Sequence, residues 1–211
     1  MTNLTPKIRR NANMACRALR QPFIRHYGDV IAKVFSRQPA RIKAKGFKLF
    51  YYHPRDDKSG DIWNHLTSIK DLHIIHLKRR NVFRTIISRK IAGSNDKWVA
   101  WSSEKSVSKE NKAITFTTEE LKQLFEQTRV WEESGDEIFK SHALESVYYE
   151  DLIENPKETF SKIMFFLGLQ YVQPQTSLVR QNPGKMRNLV INYDDLKSAF
   201  SGTEQQLFFE E

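Results

Sequence analysis

The feature that most constrains this chain is a short apolar run that ends abruptly in cations. His73-Ile74-Ile75-His76-Leu77 reads as a short buried strand. It passes directly into Lys78-Arg79-Arg80-Asn81, and Asn81 is a favourable helix N-cap. Beyond it, Phe83, Ile86, Ile87 and Ile91 recur at helical spacing, which predicts a helix to about Ala92 with one core-facing side. A strand that feeds straight into a helix is the building unit of a parallel α/β sheet.

The rest of the chain keeps to that alternation. Gly46 to Tyr52 alternates and is rich in aromatics, so it reads as a strand ended by His53-Pro54. Asp61 is placed to cap a helix to about Lys70, with Ile62, Leu66 and Ile69 on one face. Residues 93–117 are polar and read as an excursion from the core. Thr117-x-x-Glu120 resembles a capping box and opens a helix through Trp131 or beyond. Ser146 to Tyr149 is a third strand. Asn155-Pro156-x-Glu158 starts another helix, with Gly168 as its C-cap. Residues 172–190 form a basic segment containing Pro and Gly. Tyr193 to Phe200 is a last helix, and Thr203 to Phe209 adds a turn or two. Residues 1–40 are basic, with apolar residues at helical spacing broken by Pro22 and Pro39. The expectation is one α/β domain over residues 1–211, with 1–40 as a basic helical N-terminal segment. Its parallel sheet is flanked by helices, and ligands bind such sheets at the carboxyl ends of the strands.

Charge narrows the partners. The formal net charge is +9, which favours an anionic ligand, nucleic acid or an acidic surface without choosing among them. The lone cysteine, Cys16, rules out an intramolecular disulfide and a cysteine-based zinc site. A reducing compartment, hence a cytoplasmic location, is expected. No apolar run approaches the roughly 20 residues a membrane helix needs, and no secretory leader is expected. His73 and His76 read as satisfying backbone groups, and no metal site is expected.

The chemistry concentrates around Arg80. That residue sits where the strand ends, and its planar, permanently charged fork suits phosphate oxygens. Ser88 follows eight residues after Arg80 and about six helical residues past the first turn, roughly 9 Å along the axis at 1.5 Å per residue. Arg84 and Ser88 are i,i+4 neighbours and share a face. This arrangement resembles the 3′-phosphate-binding motif of sulfotransferases that use 3′-phosphoadenosine-5′-phosphosulfate (PAPS). The resemblance implies that Arg80 and Ser88 bind the ribose 3′-phosphate. Val147-Tyr148-Tyr149-Glu150-Asp151-Leu152 through Pro156 is similar to the Tyr-Glu-Asp-Leu block of that family, which implies Tyr149 near the adenine. Arg180 to Arg187, then Asn192-Tyr193-Asp194-Asp195-Leu196, resembles the nucleotide-closing loop and a C-terminal helix of bacterial carbohydrate-type members. It implies a phosphate contact by Arg180. Gly46-Phe47-Lys48-Leu49 resembles the second strand of that group. The resemblance spans about residues 45–200 and implies a nucleotide-binding core built on a P-loop-like sheet.

One part of that pattern is not visible. The family opens with a strand and a Ser/Gly/Thr-rich loop around the 5′-phosphosulfate. Residues 1–40 hold one glycine, Gly28, and no Gly-Thr or Ser-Gly pair, and Lys58-Ser59-Gly60 follows the wrong strand. The expected sheet therefore lacks its first strand and loop. Sulfuryl transfer also needs a base and positive charge at the leaving group. His53 is the candidate base and Lys48 the candidate partner of the sulfonate. Trp98 and Trp101 suit stacking on sugar rings.

Three readings follow. The first is a PAPS-dependent sulfotransferase acting on a carbohydrate or glycolipid hydroxyl. The second is a degenerate relative that binds nucleotide without transfer, and the third a basic nucleic-acid-binding protein. Because the cations are spread along the chain and no nucleic-acid module is recognisable, nucleic acid is not the expected partner.

Overall fold

A computed structural model of the protein describes residues 34–36, 39–52, 62–96, 98–101 and 113–210. The chain divides into two compact units, Met1–Ile69 and Lys70–Glu211.

In the first unit, helix α1 spans Ile62–Thr67 and buries Ile62 and Leu66, two of the three residues expected on its apolar face. Asp61, its expected cap, lies outside the described residues, as does the helical patterning expected before residue 34. The strand expected over Gly46 to Tyr52 does not form: that stretch is irregular and ends in a turn. The local geometry explains the aromatic alternation. Phe50 and Tyr52 stack on each other, with ring centroids 5.3 Å apart and an interplanar angle of 6°. Alternation puts residues i and i+2 on one side, but a strand also requires a hydrogen-bonded neighbour.

The second unit is built around two parallel strands, β1 (His73–Lys78) and β2 (Ala143–Tyr148). Their register runs from His73 opposite Ala143 to Lys78 opposite Tyr148. Two helices connect them, α2 (Val82–Asn95) and α3 (Thr118–Ile138). Then α4 (Tyr149–Glu154) follows β2 without a break, and α5 (Pro156–Phe166) follows α4. Among the described residues the sheet has these two strands, so the expected parallel pairing is present in a small sheet. Tyr149, expected in the second of them, begins α4 instead. The acidic residues Glu150 and Asp151 in the first turn of α4 favour a helix start there.

Local signals fix the helix ends. The Asn81 side chain accepts a hydrogen bond from the Arg84 backbone N–H at 3.0 Å and caps α2. The Thr117 hydroxyl accepts from the Glu120 N–H at 3.0 Å and caps α3. Arg129 bridges Glu126 and Glu133 along the exposed face of α3, which supports its polar second half. Asn155 makes no side-chain cap for α5, against expectation; the Thr159 hydroxyl instead donates to the Asn155 and Asp151 carbonyls. At the far end Gly168 has φ 65°, its N–H bonds to the Phe165 carbonyl, and the Leu169 N–H bonds to that of Met164. That pair of bonds is a Schellman ending, which glycine adopts without steric cost.

The core joins both ends of this unit. Val82, Phe83, Ile86, Ile87 and Ile91 of α2 pack with Leu121 and Phe125 of α3. Met186, Leu189, Val190, Tyr193, Leu196, Phe200 and Phe209 complete it from the C-terminal segment. A 3₁₀ turn at Met186–Asn188, helix α6 (Tyr193–Ala199) and a 3₁₀ turn at Glu204–Phe209 make up that segment. Asn192 joins it to the start of α3, accepting from the Phe116 N–H at 3.3 Å and donating to its carbonyl at 2.8 Å. Phe83 is fully enclosed, with ring neighbours Phe116, Phe125, Tyr193 and Phe209. Truncating it removes the hub of this aromatic cluster. Phe83→Ala should therefore lower unfolding free energy by about 3–5 kcal/mol, measured by urea denaturation, with an unchanged midpoint counting against this packing.

Candidate functional site

The parallel register brings the carboxyl ends of β1 and β2 together, and each end passes into a helix. One tip is Lys78-Arg79-Arg80-Asn81; the other is Tyr148-Tyr149-Glu150-Asp151. Cations and aromatic rings interleave there. The Arg79 guanidinium lies 3.7 Å from the centroid of the Tyr149 ring, and that of Arg80 lies 4.4 Å from the Tyr148 ring. Such stacking places a planar cation over the electron-rich face of each ring.

The two arginines have different environments. Arg80 forms a two-pronged salt bridge with Asp151, at 2.7 and 2.9 Å. The hydrogen bond to Asp151 raises the guanidinium pKa, and that to Arg80 holds the Asp151 carboxyl below its ordinary value. The Arg80 side chain thus points to the acidic start of α4 instead of lying along α2 toward Ser88. Glu150 binds the same turn through the backbone, accepting from the N–H groups of Arg80 at 3.1 Å and Asn81 at 3.4 Å.

Arg79 is the more buried of the pair. Burial lowers its pKa, Tyr149 and Glu150 oppose that shift, and the positive charges of Arg180 and Arg84 add to it. Arg84 donates to the backbone carbonyls of Asn182 at 3.5 Å and Gly184 at 3.0 Å, fastening the basic loop to α2. Arg79, stacked on the Tyr149 ring, therefore lies within electrostatic reach of Arg84 and Arg180. Ser88 lies one turn beyond Arg84 on α2, and its hydroxyl makes no hydrogen bond among the described residues. A dianion seated among these arginines would offset both the desolvation and the mutual repulsion of the guanidinium groups. The arrangement fits a phosphate.

A second charged cluster lies on the other side of β1. The buried His76 shares a hydrogen bond between Nδ1 and Asp136 Oδ1 at 2.7 Å, and Lys78 Nζ donates to Asp136 Oδ2 at 2.5 Å. His76 thus pairs with a carboxylate of α3, not with the backbone as expected, because β1 presents His76 and Lys78 on one face toward that helix. His73 does meet a backbone group, the Asp71 carbonyl at 3.2 Å. Burial lowers the His76 pKa, so the neutral ring, donating from Nδ1, is the form present near pH 7. Burial opposes ionisation of Asp136, but the bonds from Lys78 and His76 outweigh it and hold the carboxyl below its ordinary value. Burial raises the pKa of Glu132, one turn earlier on α3.

The other site candidates lie elsewhere. Lys48 belongs to the first unit, where it is exposed and sits 4.4 Å over the Phe50 ring, and His53 lies outside the described residues. Among the described residues, no group of three or more His, Cys, Asp or Glu side chains could hold a metal ion. None of the described helices is long and apolar enough to cross a membrane.

Sequence reading missed Arg79. The signal was present: Lys78 and Arg79 alternate on a strand, so facing Lys78 toward α3 turns Arg79 toward the opposite side. The pairing of Lys78 with Tyr148 then sets Arg79 next to Tyr149.

The model of the sulfotransferase family matches residues 9–173, most of the chain, and the protein belongs to that family. The match includes Arg79, Arg80, Ser88 and the Tyr149 block, and ends before Arg180. No curated protein and no solved structure matches the chain.

The cluster on β1 has a pH signature. Above about pH 6.5 His76 is neutral whether folded or unfolded. Below it, the unfolded chain takes up the proton first, because folding lowers the His76 pKa. Stability should then fall as pH is lowered from about 7 to 5. Glu132 acts in the opposite direction, since its carboxyl pKa is raised by folding. Thermal melts should show His76→Gln flattening the acid-side fall; an equal slope in both proteins would remove His76 as its source.

Proposed function

We propose that the chain transfers a sulfonate group from PAPS to a hydroxyl of a carbohydrate or glycolipid acceptor. The observation behind this reading is Arg79 stacked on the Tyr149 ring at the carboxyl end of a parallel strand, within reach of the charges of Arg84 and Arg180. A half-buried guanidinium near like charges is stabilised by an anion, and a ribose phosphate supplies one next to an aromatic purine. Arg79 and Arg180 hold the 3′-phosphate, with the Ser88 hydroxyl as a further donor. Tyr149 orients the adenine. Arg84 fixes the loop over the nucleotide through the Asn182 and Gly184 carbonyls. Arg80 reaches the same phosphate only by leaving Asp151.

The donor supplies an activated sulfonate: the acceptor oxygen bonds to sulfur as the bond from sulfur to the bridging phosphate oxygen breaks, leaving adenosine 3′,5′-bisphosphate. His53 is proposed to take the hydroxyl proton and Lys48 to face the sulfonate. These two roles rest on the sequence resemblance. The carbohydrate class draws on Trp98 and Trp101, whose side chains are exposed. Trp101 bridges to Leu178, and the Val179 N–H donates to the Ala100 carbonyl at 3.1 Å, so the backbone at Trp101 pairs with the approach to Arg180.

Calorimetric titration with adenosine 3′,5′-bisphosphate, together with a labelled-sulfonate transfer assay, tests the proposal. Binding with transfer supports it. Binding without transfer replaces it with a nucleotide-binding relative, and no binding removes the site. Arg79→Ala should weaken bisphosphate binding by about 1.5–3 kcal/mol, the scale of hydrogen bonds to a charged group. Arg80→Ala should cost less, because its fork already serves Asp151. The reverse order would return the phosphate to Arg80.

A further inference from the structure

The turn between β1 and α2 is held from two sides, and the second side lies outside the block that matches the family. Glu150 and Asp151 hold it from α4. From the other direction, the Asn81 amide reaches the C-terminal strap. Asn81 Nδ2 donates to the carbonyls of Phe208 at 3.1 Å and Glu210 at 3.4 Å, while its Oδ1 accepts from the Arg84 N–H. One side chain therefore caps α2 and grips the chain's last described residues. The family match ends at residue 173, so the strap is not part of that block.

The strap has an independent anchor. The Phe209 ring is buried among Phe83, Tyr193 and Phe200, with centroids 4.8, 5.7 and 5.5 Å away. The buried Tyr193 hydroxyl donates to the Phe209 carbonyl at 2.6 Å. The strap carbonyls on either side of residue 209 thus meet Asn81, and the one between them meets Tyr193. This fixes the strap's backbone, and through Asn81 it fixes the residue that follows Arg79 and Arg80.

We infer that Asn81 is a positioning residue for the nucleotide site, and that the Thr203 to Glu210 strap holds the arginine turn in its binding geometry through the Asn81 amide. The inference rests on the reading of that turn as the bisphosphate site. Two substitutions separate positioning from simple support. Asn81→Ser keeps a good N-cap for α2, adds no charge and loses the reach to the strap. Tyr193→Phe loosens the strap from its far side and leaves the turn untouched.

The full chain is titrated with adenosine 3′,5′-bisphosphate well below its melting temperature. Hydrogen exchange at residues 204–210 is followed in parallel without ligand. Both variants should speed that exchange, and each should weaken bisphosphate binding about three- to tenfold, the scale of one hydrogen bond. The double variant should lose less than the product of the two, because both act through one strap. Faster exchange with wild-type affinity would overturn the positioning role alone and leave the site standing. Unchanged exchange in Asn81→Ser would overturn the link to the strap. If the wild-type chain does not bind the bisphosphate, the site reading fails and the positioning role fails with it.

Discussion

The parallel pairing of His73–Lys78 with Ala143–Tyr148 is the constraint from which the rest of the second unit follows. In a parallel pair both carboxyl ends lie at the same edge. Here one edge residue is followed by two arginines and the other by a tyrosine, a glutamate and an aspartate. Register then determines which cation meets which acid. With Lys78 opposite Tyr148, Arg79 falls beside Tyr149, and Arg80 comes within reach of Asp151. A slip of one residue would turn every one of these side chains to the other face.

The electrostatics of that edge separate support from binding. Arg80 and Asp151 neutralise each other at an exposed position, where an ion pair contributes little to stability but fixes geometry. Arg79 is more buried, and its nearest charges include two further arginines. Burial and like charge both act against its ionised form, and the opposing groups nearby are a tyrosine and Glu150. The carboxyl ends of parallel strands are where α/β proteins bind their ligands. Membership of the sulfotransferase family agrees with that chemistry.

Much of this was visible in the chain itself. The Asn81 cap, the apolar positions of α2, the capping threonine of α3 and the terminating Gly168 depend on residues within a few positions of each other, and the structure follows them. The aromatic stretch from Gly46 to Tyr52 reads as a strand for a local reason as well, but its outcome depends on a partner that alternation does not specify. His76 shows the same limit. A histidine on a buried strand was expected to meet backbone, yet it met Asp136, sixty positions away in sequence.

The sequence by itself determined the caps of α2 and α3 and the glycine stop after α5, that strand would lead into helix at residues 73–92, and that cations would gather where β1 stops. It could do so because caps, helical periodicity and chain breaks act over one or two turns. Only the tertiary structure decided that Arg80 faces Asp151, that Arg79 lies against Tyr149 with Arg84 and Arg180 nearby, and that a C-terminal strap reaches Asn81. Those outcomes depend on long-range strand register and on the aromatic core drawing residues 186–209 against α2, and neither is encoded in the spacing of neighbouring residues.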